Sequence, residues 1–447
     1  MKSIILLLSQ AVFASPTFPP EGVEVELREV GSTLEEEIRR LEEGPIELYR
    51  ELHANPELSF QEVATAREVA ERLRSAGYEV TEEVGRTGVV AMLRNGEGPT
   101  VMVRGDMDAL PITEATGLDY ASEVTAERNG EIVGVMHACG HDLHTTTLVA
   151  TAEVLAAARG SWSGTAMIVA QPAEEIGLGA KEMLEDGLFE RFATPDFIIG
   201  LHVAPELPAG SVGLTPGWAN ANVDTVEITV HGRGGHGARP HQAADPIVAA
   251  SSIVVGLQSV VSRRLDPASP GVITVGSIHG GSKSNVIPDE ANLALTVRSY
   301  DEASRQTLLQ GIREVAAGTC EAMGCAAPPT VVQTAQNLPA AFNHVPLTEA
   351  AQGLFEELFG GENVHSYPAS LGGEDFGRYS RASGRPGLQL RLGVVSRELF
   401  DANGEPTETL PSLHSPLFRA DPEPSIRTGV TALSNLALRL LAEPAAE

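Results

Sequence analysis

Three short apolar runs, each ending abruptly in polar residues, shape the first half of the chain. Thr100–Arg104 leads into Gly105-Asp106-Met107-Asp108, Ala166–Ala170 into Gln171-Pro172-Ala173-Glu174-Glu175, and Phe197–Leu201 into His202. Helical spacing separates them at Leu143–Ala158 and Gly179–Leu184, and precedes them at Leu34–Leu41, Ile46–Leu52 and Ala64–Ala76. Continuous apolar strands alternating with helices predict an α/β fold, a mostly parallel sheet with helices on both faces. In such sheets ligands bind beyond the carboxyl ends of the strands. Here all three ends carry acids or a histidine.

The pattern changes near Val212. Strands are predicted at Val223–Val230, Val272–Ser277, Ala291–Ser299 and Pro329–Val332, with helices at Asp245–Arg264 and Glu302–Met323. That βαββαβ order is the split, ferredoxin-like arrangement, and it predicts an inserted domain over 212–337. The first domain, 33–211, resumes over 338–447 with a helix at Leu347–Phe359, another opened by Gly372–Phe376, a strand at Gln389–Leu392 and a helix at Ile426–Leu441. At the front, Met1-Lys2, the apolar Ile4–Leu8 and a Val-x-Ala end at Ala14 predict a signal peptide over 1–15, hence export, followed by an extended Pro- and Glu-rich leader over 16–32.

Charge narrows the partners. With 31 basic against 60 acidic residues the formal net charge is −29, so no basic stripe exists to displace counterions from a nucleic acid. No later apolar run reaches the roughly 18 residues of a membrane span. Three cysteines, Cys139, Cys320 and Cys325, make no disulfide framework; in an exported chain Cys320 and Cys325 could pair, with Cys139 left out.

His137-Ala138-Cys139-Gly140-His141-Asp142-Leu143-His144 is the densest cluster of metal-binding side chains in the chain. Cys and His bind borderline cations well, and the intervening Gly lets both converge on one ion. A pair of divalent ions needs four or five ligands. The strand ends supply them as Cys139, His141, Glu175, His202 and, from the resumed domain, His414. Adjacent residues beyond a strand point in different directions, so Glu175 can hold a metal while Glu174 faces the reacting water as general base. Asp108 either caps a helix or orients a ligand His or Cys by accepting its hydrogen bond.

Taken together, Arg-Gly-Asp-Met-Asp-Ala-Leu-Pro at 104–111, the 137–144 cluster, Gln-Pro-Ala-Glu-Glu at 171–175, Leu-His at 201–202, Gly-Gly-Glu-Asp-Phe at 372–376 and His-Ser-Pro at 414–416 resemble the dinuclear aminoacylase/carboxypeptidase family of metallohydrolases. Within it they are most similar to the amidohydrolase branch, which cleaves hippurate, other N-acyl amino acids and indole-3-acetyl-amino acids. The resemblance implies a zinc-peptidase-like α/β domain carrying a lid through which two chains dimerise. It implies two divalent ions (Zn, Mn, Co or Ni) on the five residues above, Glu174 as base and Asp108 behind the site. Asp106 stands where much of the wider family has a histidine, and is not counted as a ligand; His144 has no ligand role by this likeness.

Gly232-Arg-Gly-Gly-His-Gly237 satisfies a dinucleotide-binding pattern, but Pro240 follows where a helix should start. By the resemblance, His236 instead reaches the neighbouring subunit's site to stabilise an oxyanion, while Asn285 and Arg298 bind substrate. The Arg298 fork suits a carboxylate. His53, His231, His241, His279, His344 and His365 read as structural or surface residues. The expected activity is metal-dependent hydrolysis of small N-acyl-L-amino acids. The alternatives are a dipeptidase or carboxypeptidase of the same fold, which would prefer free dipeptides, or a metal-retaining binding protein without turnover.

Overall fold

The computed structural model describes residue 25 and residues 27–28, 44–128, 130–401, 404 and 406–441. The signal peptide, all but three positions of the leader, and the Leu34–Leu41 helix lie outside the described residues. In chain order the principal elements are helices α1 (Gly44–Ala54) and α2 (Val63–Ser75), strands β1 (Glu79–Val84), β2 (Gly88–Asn95) and β3 (Thr100–Asp106), helix α3 (His141–Ala157), strand β4 (Gly164–Gln171), helix α4 (Gly179–Glu185), and strands β5 (Phe197–Pro208) and β6 (Val212–Leu214). Next come β7 (Asn222–His231), α5 (Pro246–Arg263), β8 (Gly271–Gly280), β9 (Glu290–Ser299), α6 (Glu302–Met323) and β10 (Thr330–Leu338). The chain closes with α7 (Val345–Phe359), β11 (Val364–Ser366), α8 (Gly377–Ser383), β12 (Gly387–Val395) and α9 (Pro422–Leu440).

The central sheet has eight strands in the order β1-β2-β4-β3-β5-β12-β6-β11. Its middle, β4-β3-β5-β12, is parallel throughout, whereas β1, β2 and β6 add antiparallel pairings. The parallel strands are apolar without interruption because both faces are covered. Val101, Val103, Ala166, Ile168 and Ala170 pack with α2, α3 and α9 residues such as Val69, Leu148 and Leu433. The intervening Met102, Met167 and Val169 pack on the other face with Met183 of α4 and Tyr379 of α8. This two-residue alternation sends neighbouring side chains to opposite layers. The same parity turns His202 and Arg391 toward the Tyr379 side, since Leu201, Val203, Leu390 and Leu392 all join the first layer.

A four-stranded antiparallel sheet, ordered β8-β9-β7-β10, carries α5 and α6 on one face. It has the ferredoxin-like order. Its first strand begins at Asn222, which corrects the boundary expected at 212: Val212–Leu214 is β6, paired with β12 and β11 in the central sheet. The change of pattern after Pro208 marks a turn within the first domain, and the chain leaves for the second sheet about ten residues later. Asn222 ties the crossing, donating to Tyr300 O (2.9 Å) and accepting from Ala340 N (2.8 Å). The β1–β2 hairpin was unread in the sequence because β1 lies at the sheet edge and is rich in glutamate. Among the described residues one helix, α5, is long and apolar enough to cross a membrane, a candidate missed in the sequence. It packs Ala249, Ala250, Ile253, Leu257 and Val260 against the lid sheet. Cys320 and Cys325 face each other across the end of α6, with Sγ atoms 2.6 Å apart, where Gly324 turns left-handed.

Gly179 opens α4 directly above the turn that carries Glu174. A Cβ there would lie 1.6 Å from the Pro172 carbonyl oxygen, a backbone atom that cannot yield. Gly179→Ala is therefore expected to cost about 1–3 kcal/mol, read as a lowered urea midpoint. Gly353→Ala in α7, where an added Cβ meets nothing within 4 Å, is the control and should hold or raise the midpoint. Equal midpoints for the two variants would contradict this packing.

Candidate metal centre and its cavity

Gly140 sets the centre's geometry. It precedes α3 in a left-handed conformation (φ 74°), and a Cβ would strike Val203 Cγ2 at 2.8 Å. That turn presents Cys139 and His141 together. The His141 Nδ1 hydrogen bonds to Asp108 O (2.8 Å), and the His202 Nδ1 to Val203 O (2.8 Å), which leaves each Nε2 free to bind. His202 Nε2 lies 3.7 Å from Cys139 Sγ, and Glu175 Oε1 lies 3.9 Å from His141 Nε2. His414, itself left-handed (φ 64°), places Nε2 at 3.5 Å from Glu175 Oε2. Donor atoms of Cys139, His141 and His202 all fall within 4.8 Å of one another, as do those of Cys139, Glu175 and His414.

These residues fit a cation. His141 Nε2 and Glu175 Oε1 are buried without any hydrogen-bond partner, and such orphans cost about 1–3 kcal/mol each unless something satisfies them. A divalent ion would satisfy both at once. Sulfur, imidazole and carboxylate together form a mixed donor set that Zn, Mn, Co and Ni can all use.

The Ala173–Glu175 turn is held from behind by two carboxylates. Glu62 accepts from Ala173 N (2.8 Å), and Asp108 accepts from Glu174 N and Glu175 N, both at 3.0 Å. Ala173 takes a left-handed φ of 51°, a strained conformation that these hydrogen bonds offset. Asp108 also receives Ser59 Oγ at 2.6 Å and lies 3.3 Å from His141 Nδ1, so one carboxylate orients both a ligand histidine and the Glu174–Glu175 pair. Burial first, then the carboxylates of Glu374, Glu175 and Asp375, push Glu174 well above the usual carboxylate range. Burial and Asp108 hold Glu62 up at about 7.

Beneath the turn Arg104 is buried among Asp106 (2.5 Å), Asp375 (3.1 Å), Glu374 (3.2 Å) and the Gln171 amide oxygen (2.9 Å). His144 joins Asp106 at 2.5 Å through Nδ1 and accepts from Val203 N at 2.9 Å, which locks it into a supporting role. His53 bridges Asp142 (2.7 Å) and Glu114 (3.1 Å) beside the start of α3. Burial alone would lower its pKa, but the hydrogen bonds to those carboxylates outweigh this and hold it at about 10. His53, read as structural or surface, is structural here; for Glu62, Arg104, Glu374 and Asp375 the sequence offers no role. Arg104 and the Glu374–Asp375 pair stood inside quoted motifs, whereas Glu62 carries no local signal.

A cavity of about 710 Å³ opens over the centre, lined by Cys139, Glu174, Glu175, His202 and His414 together with Arg298 from the lid. His236 and Asn285 do not line it. They sit together on an exposed two-stranded ribbon, where Gly235–His236 pairs with Val286–Ile287 and Gly237 N donates to Asn285 O at 2.9 Å.

Residues 102–439 match the model of "Peptidase family M20/M25/M40". The chain belongs to that family. Among its similar members are N-acetylcysteine deacetylase of Bacillus subtilis, 37% identical over 85% of this chain and 92% of that protein, and hippurate hydrolase of Campylobacter jejuni, 39% identical over 75% and 85% respectively. A solved Bacillus subtilis structure, described as a dinuclear metal-binding peptidase of the M20 family, superposes with a TM-score of 0.74 at 32% identity, covering 90% of this chain and 99% of the other. This M20 chain is accordingly a metal-dependent hydrolase of the amidohydrolase/peptidase class, and the M20 fold is the two-sheet architecture described above.

Because Asp108 fixes both His141 and the Glu174–Glu175 turn, Asp108→Asn should weaken metal binding about 10–100-fold, measured by competition with a chelator. Unchanged affinity would show that the turn is held without it.

Proposed function

We propose that this enzyme hydrolyses the amide bond of N-acyl-L-amino acids to a carboxylate and a free amino acid. One observation carries the reading: Glu174 is nearly buried, lines the cavity, and places Oε2 4.0 Å from His141 Nε2, beside the metal donors. A carboxylate raised by burial and by neighbouring acids suits a group that must take a proton and return it. Glu174 takes one proton from the attacking water and delivers it to the leaving nitrogen as the C–N bond breaks. Two divalent cations on Cys139, His141, Glu175, His202 and His414, drawn from Zn, Mn, Co or Ni, supply Lewis acidity toward the carbonyl and the water. Arg298 grips the amino acid's carboxylate. The names of the hippurate and N-acetylcysteine relatives support N-acyl amino acids as the substrate class.

The working unit in this proposal is a homodimer formed through the lid. Val248 and Val255 of α5 are 53% and 74% exposed, and β8 is an unpaired edge of the lid sheet. His236, remote from its own chain's cavity, then serves the oxyanion in the partner's, with Asn285 beside it.

Glu174→Gln should retain its metal while kcat falls by about three orders of magnitude or more, a loss confined to the transition state. Near-normal turnover would remove Glu174 from the chemistry. Mixing His236→Ala with Glu174→Gln chains should restore part of the activity, because a heterodimer holds one cavity with an intact Glu174 and an intact His236 from the partner. Absence of rescue in verified heterodimers would place His236 in its own chain's site. A panel of N-benzoyl and N-acetyl amino acids against free dipeptides decides between an amidohydrolase and a dipeptidase.

A further inference from the structure

Besides Arg298, and Arg128 exposed on the Thr125–Arg128 strand, the cavity is lined by a third guanidinium for which the amide reaction has no use. Arg391 lies on β12 directly beside the ligand His202, its in-register partner on parallel β5, and its side chain points to the same side of the sheet. It is 8% exposed, sits within a strand that is otherwise buried from end to end, and lines the cavity with the metal donors. Among the described residues its one hydrogen-bond acceptor is the Asn220 side-chain oxygen at 2.7 Å, with the Tyr367 ring 5.9 Å from its guanidinium carbon.

Among the described residues no carboxylate pairs with it. Glu206, the other acid at this end of the cavity, lies 2.9 Å from the Tyr367 hydroxyl that donates to it. Burying a guanidinium beside a metal site is unfavourable unless an anion arrives to share its donors, and Asn220 occupies only one of the five N–H groups. Arg298 is likewise free of any ion pair; it reaches Thr296 Oγ1 (3.1 Å) and Leu371 O (3.5 Å). The two arginines stand on different domains, Arg298 on the lid and Arg391 on the central sheet, facing one cavity. A substrate with one carboxylate leaves one of them unanswered.

Building on the amidohydrolase reading, we infer that the substrate carries two carboxylates, with Arg298 holding the amino acid's α-carboxylate and Arg391 a second one. Preferred substrates are dianionic N-acyl amino acids. The second carboxylate belongs either to a dicarboxylic acyl group or to the side chain of an acidic amino acid; the chemistry Arg391 recognises is the same.

The test compares kcat/KM for N-acetyl-leucine, N-succinyl-leucine and N-acetyl-glutamate on the metal-loaded enzyme. At least one dianion should exceed N-acetyl-leucine by about tenfold or more, since a site built around a charged hydrogen-bonding group discriminates against ligands that leave it unpaired. Preference for the succinyl compound places the second carboxylate on the acyl arm; preference for the glutamate compound places it on the side chain. In Arg391→Leu the ratio of dianion to N-acetyl-leucine should collapse to about one, and Arg391→Lys should keep part of it. Succinate or glutamate should inhibit the wild-type enzyme at least tenfold better than acetate or leucine, a readout that needs no variant to fold. The inference is overturned if neither dianion is preferred, or if the preference survives in Arg391→Leu. Turnover of N-acetyl-leucine without dianion preference sinks this inference alone, whereas no turnover of any N-acyl amino acid sinks the amidohydrolase reading and this with it.

Discussion

Uncompensated negative charge is the constraint around which the catalytic domain is arranged. Glu62, Asp106, Asp108, Glu174, Glu374 and Asp375 are all buried near one another, and a single buried guanidinium, Arg104, stands among them. Isolated buried carboxylates are strongly unfavourable, so each must find hydrogen bonds, a cation or a proton. Asp106 and Asp375 take Arg104; Glu62 and Asp108 take the backbone N–H groups of the Ala173–Glu175 turn. Glu174 has neither, and burial with its acidic neighbours drives it toward the protonated form. Divalent ions held by Cys139, His141, Glu175, His202 and His414 would supply positive charge at the cavity end of this layer. In the proposed mechanism, the same imbalance readies Glu174 to hold and return a proton.

Much of the fold was legible because the middle strands are buried on both faces. Met102 and Val103 belong to different layers, so β3 reads as one apolar run, and so do β4 and β5. The polar residues beyond the first two runs mark the strand ends to within two residues, whereas β5 continues past His202 to Pro208. Edges were harder. β1 exposes glutamates and β6 is three residues long, so neither has the periodicity that reveals a strand, and the lid boundary was drawn some ten residues early in consequence.

The centre was legible where chemistry is rare in sequence. Cys139, His141, Glu175, His202 and His414 stand in four separate stretches of the chain, and the fold draws their donor atoms together. Residues acting through another residue left no such mark. Glu62 reaches the Ala173 amide across 111 residues of chain, and Arg104 meets Glu374 across 270. Arg391 did leave a signal, a charge interrupting an apolar strand, but its meaning depends on facing the cavity. His236 and Asn285 come together on the lid ribbon, away from the cavity of their own chain.

A pair of ions is expected at this centre. Anomalous diffraction from crystals of the zinc- or manganese-loaded protein locates them directly. Two peaks are predicted, about 4 Å apart, against Cys139, His141, Glu175, His202 and His414. A single peak, or metal seated instead on the Asp106–His144 or Glu374–Asp375 groups, would contradict it.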